Sequence, residues 1–157
     1  MVAGAARSTS TRVAVFAAYA AQGLGYAVVV TSLPALKQRQ GVDDTVVTLI
    51  VLGVAIAAAG GSVLANALAV RFGSRTALVV GLLLQAAALP AIALPTPFPL
   101  FVSLFAVYGI GLGCVDAATA MQGVIVQRAH GKPLLGGFFS AYTAAATAGA
   151  LLVSAIA

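Results

Sequence analysis

From Thr76 to Val115 not one side chain carries a charge, and the stretches 13–36 and 45–70 are equally bare. Each is at least as long as the ~20 apolar residues needed to cross the ~30 Å hydrocarbon core of a bilayer. Only 7% of the chain is charged and 62% is hydrophobic, with a mean hydropathy of +1.11. A soluble domain is about 25% charged. In lipid every backbone N–H and C=O must be satisfied within the structure, which leaves helices or a closed barrel. A barrel needs short segments of alternating polarity, and these runs are apolar on nearly every face. The chain is therefore expected to be an all-α membrane protein.

Charges and prolines divide it into five expected helices, at about 13–36, 45–70, 76–94, 100–126 and 133–157. The run 76–115 is too long for one helix, and Pro90, Pro95, Pro97 and Pro99 divide it, because proline removes a backbone donor. Residues 1–11 read as a cytoplasmic tail and residues 12–157 as one transmembrane bundle. Arg7 and Arg12 precede an apolar run, as in a signal peptide, but 13–36 is about twice a usual signal core, so a retained helix is expected. Asp43 and Asp44 stand where the cap and first-turn carboxylates of the second helix belong.

Counted by loop with the N-terminus inside, Arg7, Arg12, Arg71, Arg75, Arg128 and Lys132 are cytoplasmic, and only Lys37 and Arg39 are outside. That asymmetry predicts a cytoplasmic N-terminus. The net charge of +5 then reflects topology and contact with anionic lipid. Nucleic acid is not an expected partner, because no basic face with interleaved aromatics exists.

Inside the spans the outlier is Asp116. A carboxylate near the middle of a membrane helix costs roughly 2.5–3.5 kcal/mol on insertion scales, so it must face protein or water, and a transport or proton site is the reading it invites. Helical spacing sets Thr119, Gly123 and Gln127 on its face, and Gly109 and Gly113 on the same side nearer the far end. Tyr19, Gln22 and Tyr26 share a face of the first helix, and Ser140, Thr143, Thr147 and Ser154 share one of the fifth. If such stripes converge, Tyr19, Gln22, Tyr26, Thr119, Gln122 and Thr143 line a polar cavity; the alternative is that these groups bond helix to helix. The string Gly109, Gly111, Gly113 lacks the third dinucleotide glycine and lies within a membrane helix, so it reads as close packing. Lone Cys114 and lone His130 make neither a disulfide nor a metal site. No cofactor is expected, and with three carboxylates in the chain an enzyme is not the reading.

The segment Ala67-Leu68-Ala69-Val70-Arg71-Phe72-Gly73-Ser74-Arg75 resembles the inner-loop signature of the major facilitator superfamily, G-x-L-a-D-R-x-G-R-R. Arg71, Gly73 and Arg75 match; Asn66 stands for the first glycine, Val70 for the aspartate and Ser74 for an arginine. Ser32-Leu33-Pro34-Ala35-Leu36-Lys37, Gly111-Leu112-Gly113-Cys114-Val115-Asp116, Gln122-Gly123-Val124, Arg128 and Gly131-Lys132-Pro133 resemble a bacterial branch near the fucose-permease-like transporters. The resemblance implies the N-terminal part of a proton-coupled carrier of a small polar solute such as a sugar, in a bacterial inner membrane, with Asp116 as the proton site. It also implies an inner-loop gate at Arg71, Gly73 and Arg75. The asparagine that follows the acidic residue in sugar symporters is here Ala120, and the branch's histidine early in the fifth helix is here Phe139. Carriers of this superfamily have two six-helix halves with the substrate site between them. Five expected helices leave two hypotheses: the front of a transporter that needs a C-terminal half, or a truncated or scaffolding membrane protein that transports nothing. Drug or metabolite export is the alternative transport role.

Overall fold

The computed structural model describes the backbone of residues 2–156 and the side chains of residues 10–155. It consists of helices α1 (Val2–Gln40), α2 (Asp44–Phe72), α3 (Ser74–Ala93), α4 (Phe98–His130) and α5 (Leu135–Ile156), with no strand among the described residues. All five are long and apolar enough to cross a membrane. The chain is thus an all-α, multi-pass membrane fold. α1 runs back to Val2, through most of the segment expected as a tail, and α4 runs on past Val126 to His130. Pro34 and Pro90 lie inside α1 and α3. The run 76–115 breaks only at residues 94–97, where Pro95 and Pro97 follow Leu94 in extended backbone.

The turns follow from local chemistry. Asp43 caps α2 by accepting a hydrogen bond from the Val46 N–H at 2.8 Å, satisfying one of the orphan donors of the first turn. A single residue, Gly73, joins α2 to α3 with φ 90° and ψ 151°, a conformation essentially restricted to glycine. Its N–H closes α2 on Ala69 O, and its own carbonyl accepts from Thr76 N–H.

The helices divide into two compact units. The first comprises α1 up to Thr31, α4 from Thr119, and α5. Its core is Val15, Tyr19, Val126 and Phe138, with Phe16, Leu134, Leu135 and Tyr142 packed around it. Phe138 is fully buried, stacks on Tyr19 at 5.6 Å and takes the edge of Phe16 at 4.6 Å. α1 meets α5 at Gly23, where an added Cβ would overlap the Tyr142 carbonyl.

The second unit, Ser32–Ala118, holds the end of α1, α2, α3 and the first part of α4. Its core is built of small residues, Ala65, Ala77, Cys114 and Ala118. Lipid tails are as apolar as leucine, so helices associate here by close packing, which small residues permit. At the α2–α4 contact a Cβ on Gly61 would overlap Ile110 O, and one on Gly113 would overlap Ala58 O. The close-packing reading of Gly109 and Gly113 has this geometry behind it, since a Cβ on Gly109 would lie 2.7 Å from Val54 O. At the α1–α2 turn Lys37 pairs with Asp44, and the Arg39 guanidinium donates to the last carbonyls of α3, Ile92 O and Ala93 O, at 2.6 Å each. Gln40 donates to Thr96 O at 3.1 Å.

Candidate functional site

Asp116 lies in the middle of α4 and its side chain is exposed. Twelve residues at 1.5 Å rise put it about 18 Å from Arg128, well inside a hydrocarbon core of about 30 Å. Its neighbours fix the helix. Cys114, Val115 and Ala118 are all fully buried, and the Cys114 thiol donates to Ala77 O at 3.3 Å. The carboxylate is therefore held on the open face of α4 by a helix whose other face is locked into the second unit.

The cavity-lining candidates all belong to the first unit. Tyr19, Gln22 and Thr119 are buried, at 4%, 2% and 2% exposure, and Gln122 is half-buried. Tyr19 stands close to the backbone of α4, since a Cβ on Gly123 would lie 3.3 Å from its hydroxyl oxygen. Tyr26, which shares the Tyr19 and Gln22 face by spacing, is exposed. Thr143 is exposed as well, its hydroxyl donating to Phe139 O at 3.0 Å within α5. Ser140, Thr147 and Ser154 do the same with Gly136 O, Thr143 O and Ala150 O. The α5 stripe is thus a face of hydroxyls already satisfied by their own helix. It can sit against lipid or polypeptide without an orphan donor, and it retains acceptor capacity. Phe139 is exposed beside it, its ring T-shaped to that of Tyr19 with centroids 5.5 Å apart.

At the α2–α3 turn Arg71 and Arg75 are both exposed on either side of Gly73, and the Arg71 guanidinium lies 5.3 Å from the Phe72 ring. Val70, in the aspartate position of the signature, is 83% exposed. The loop therefore presents cations and apolar side chains together.

Three polar residues have roles that spacing did not single out. Gln127 belongs by spacing to the Asp116 stripe, but its Oε1 accepts from the N–H groups of Leu134 and Leu135 at 3.0 and 3.1 Å, capping α5. Arg39 was counted as a loop charge and instead grips the end of α3. Gln85, 5% exposed, is an amide buried in α3, packed so that a Cβ on Gly111 would lie 3.0 Å from its Cγ. The signal available for Gln85 was the one that marked Gln22, a lone amide in an uncharged span.

No solved structure matches the chain. An uncharacterized MFS-type transporter of Yersinia pestis is 30% identical over 154 residues, which make up 98% of this chain and 39% of that relative. The chain thus spans about two fifths of the length of the transporter it matches. Residues 15–157 match the Major Facilitator Superfamily, five membrane-crossing helices and the α2–α3 turn included. By that match the chain belongs to the major facilitator superfamily.

Proposed function

We propose that this chain is the N-terminal part of a proton-coupled carrier of a small polar solute, and that Asp116 is its proton site. The observation that carries the reading is the exposed carboxylate midway along a membrane helix. Lipid is an unfavourable neighbour for it, by roughly 2.5–3.5 kcal/mol for the charged form at the helix centre. Its face therefore calls for water or further polypeptide. α2 and α5 bury the smallest share of their apolar windows, 11% each against 44% for α4, so faces for a C-terminal half are at hand. The relative's greater length supports the same view.

In this reading the solute is met by polar groups of the first unit, Tyr26, Gln122 and Thr143, and the proton is carried by Asp116 on α4. Tyr19, Gln22 and Thr119 stand behind them as a buried layer. Neutral hydroxyls, amides and aromatic rings suit a neutral, hydroxyl-rich solute, as the likeness to the fucose-permease-like branch also suggests. Protonation makes Asp116 neutral, so a loaded carrier exposes no charge to the apolar region while it changes conformation. Arg71, Gly73 and Arg75 form the inner-loop gate, and the excess of Lys and Arg on that side supports a cytoplasmic N-terminus in a bacterial inner membrane.

The test is uptake by the full-length carrier in vesicles with an imposed pH gradient. Asp116→Asn, neutral at every pH, is expected to insert normally and to lose gradient-driven accumulation while keeping exchange of solute for solute. Accumulation that still follows the gradient would refute the assignment.

A further inference from the structure

Between α2 and α4 the second unit holds a groove of about 370 Å³, lined only by apolar residues, among them Leu49, Ile50, Val54, Phe98, Val102 and Phe105. It follows each helix from Val46 to Val54 and from Phe98 to Ala106, eight steps or about 12 Å at 1.5 Å per residue. Gly53 forms part of its wall, and a Cβ there would meet nothing within 4 Å. Such a trough on a membrane-spanning unit has the section and chemistry of a hydrocarbon chain.

Its rim is charged. Val46, at the mouth, is the residue whose N–H Asp43 caps, and Asp44 precedes it with a side chain 90% exposed. Lys37, one-third exposed, pairs with Asp44 and lines a small hollow that shares Ile50 and Phe105 with the groove. One ammonium and two carboxylates thus stand where the apolar wall ends. The Lys37 ammonium has two N–H donors beyond the one on Asp44. Phosphate oxygens can take these, and a primary ammonium can take the open sides of Asp43 and Asp44. Neighbouring Arg39, held on the α3 carbonyls with its guanidinium 5.9 Å from the Phe101 ring, adds a second cation, so the rim carries charges of both signs.

From this charge pattern we infer that the groove is a binding site for one phospholipid with a zwitterionic headgroup, phosphatidylethanolamine. One acyl chain lies along α2 and α4, the phosphate sits on Lys37 and the ammonium on Asp43 and Asp44. An anionic lipid of the same chain length meets the same wall but faces the two carboxylates.

The test is native mass spectrometry of the protein released from vesicles of equal phosphatidylethanolamine and phosphatidylglycerol. One phosphatidylethanolamine is expected to stay bound. Gly53→Leu fills the trough without a backbone clash and is expected to cut retained lipid about tenfold, the scale set by small volume changes in an apolar pocket. Asp44→Asn leaves the wall intact and is expected to abolish the preference for phosphatidylethanolamine while lipid is still retained. A photoreactive side chain at Val102 is expected to label lipid. Equal retention by Gly53→Leu, no headgroup preference in the unaltered protein, or crosslinks from position 102 to a second copy or another protein segment would each overturn the assignment.

Discussion

Gly113→Ala is the most direct probe of how the second unit holds together. An added Cβ would lie 2.5 Å from the Ala58 carbonyl carbon, against 3.4 Å for an ordinary contact, so α4 and α2 must separate by at least about 0.9 Å. The neighbour is backbone and cannot rotate away. Overpacking of this kind costs typically about 1–3 kcal/mol, and we expect about 2. Little is added by the Ser62 hydroxyl, which has one proton to share between Ala58 O at 3.1 Å and Gly113 O at 3.2 Å and keeps the former. Gly61→Ala strikes the same seam from α2, so the double variant should cost less than the sum of the singles. The control is Gly60→Ala on the same helix, where a Cβ meets nothing within 4 Å; removing a helical glycine there should stabilise by roughly 0.5–1 kcal/mol. Reversible unfolding in mixed micelles, titrated with denaturing detergent, reads all four. If Gly113→Ala falls within about 0.5 kcal/mol of Gly60→Ala, the background for a surface change, the close α2–α4 contact is refuted.

Arg39→Ala leaves the Ile92 and Ala93 carbonyls without their donor and should destabilise by about 1.5 kcal/mol, the lower end for hydrogen bonds to a charged group at an exposed site. Arg39→Lys should restore only part, because an ammonium lacks the two-pronged fork; equal stability of the two would argue against the clamp. Gln127→Ala removes the acceptor for Leu134 and Leu135 and should cost about 1 kcal/mol, as other helix caps do. Hydrogen exchange should quicken at those two amides and Gln127→Glu should restore protection; unchanged exchange in the alanine variant would contradict the cap.

The sparse charges made the fold legible. Helices in lipid need uncharged stretches of a fixed length, so the gaps between Arg12, Lys37, Asp44, Arg71, Arg75 and Arg128 delimit spans almost without reference to propensity. Boundaries were less legible. Pro90 looks like a break in sequence, but it sits within α3, where surrounding packing holds the helix to Ala93. Polar helix ends such as residues 37–40 and 127–130 continue the helices although they carry none of the apolar signal.

The candidate site was legible as directions rather than as neighbours. Spacing sets Tyr19, Gln22 and Tyr26 on one face, but the first two are buried and Tyr26 is exposed, because the angle around a helix does not say how far its neighbour extends. On α4, Thr119 is buried and Asp116 exposed; a step of three residues turns the helix about 60° short of a full turn, enough to leave a packed face. Gln127 shows a further limit. An amide at the end of one helix caps whichever helix starts beside it, and that partner lies seven residues away.

The central claim is that the Asp116 face is covered by polypeptide and water rather than by lipid. The measurement is labelling by a water-soluble carbodiimide with an amine nucleophile, read by peptide mass, in vesicles holding residues 1–157 alone or together with a C-terminal half. Exposed Asp43 and Asp44 at the start of α2 serve as internal standards and should be modified in both. The account predicts that Asp116 is modified only when the second half is present. Labelling that is the same in both preparations would contradict it.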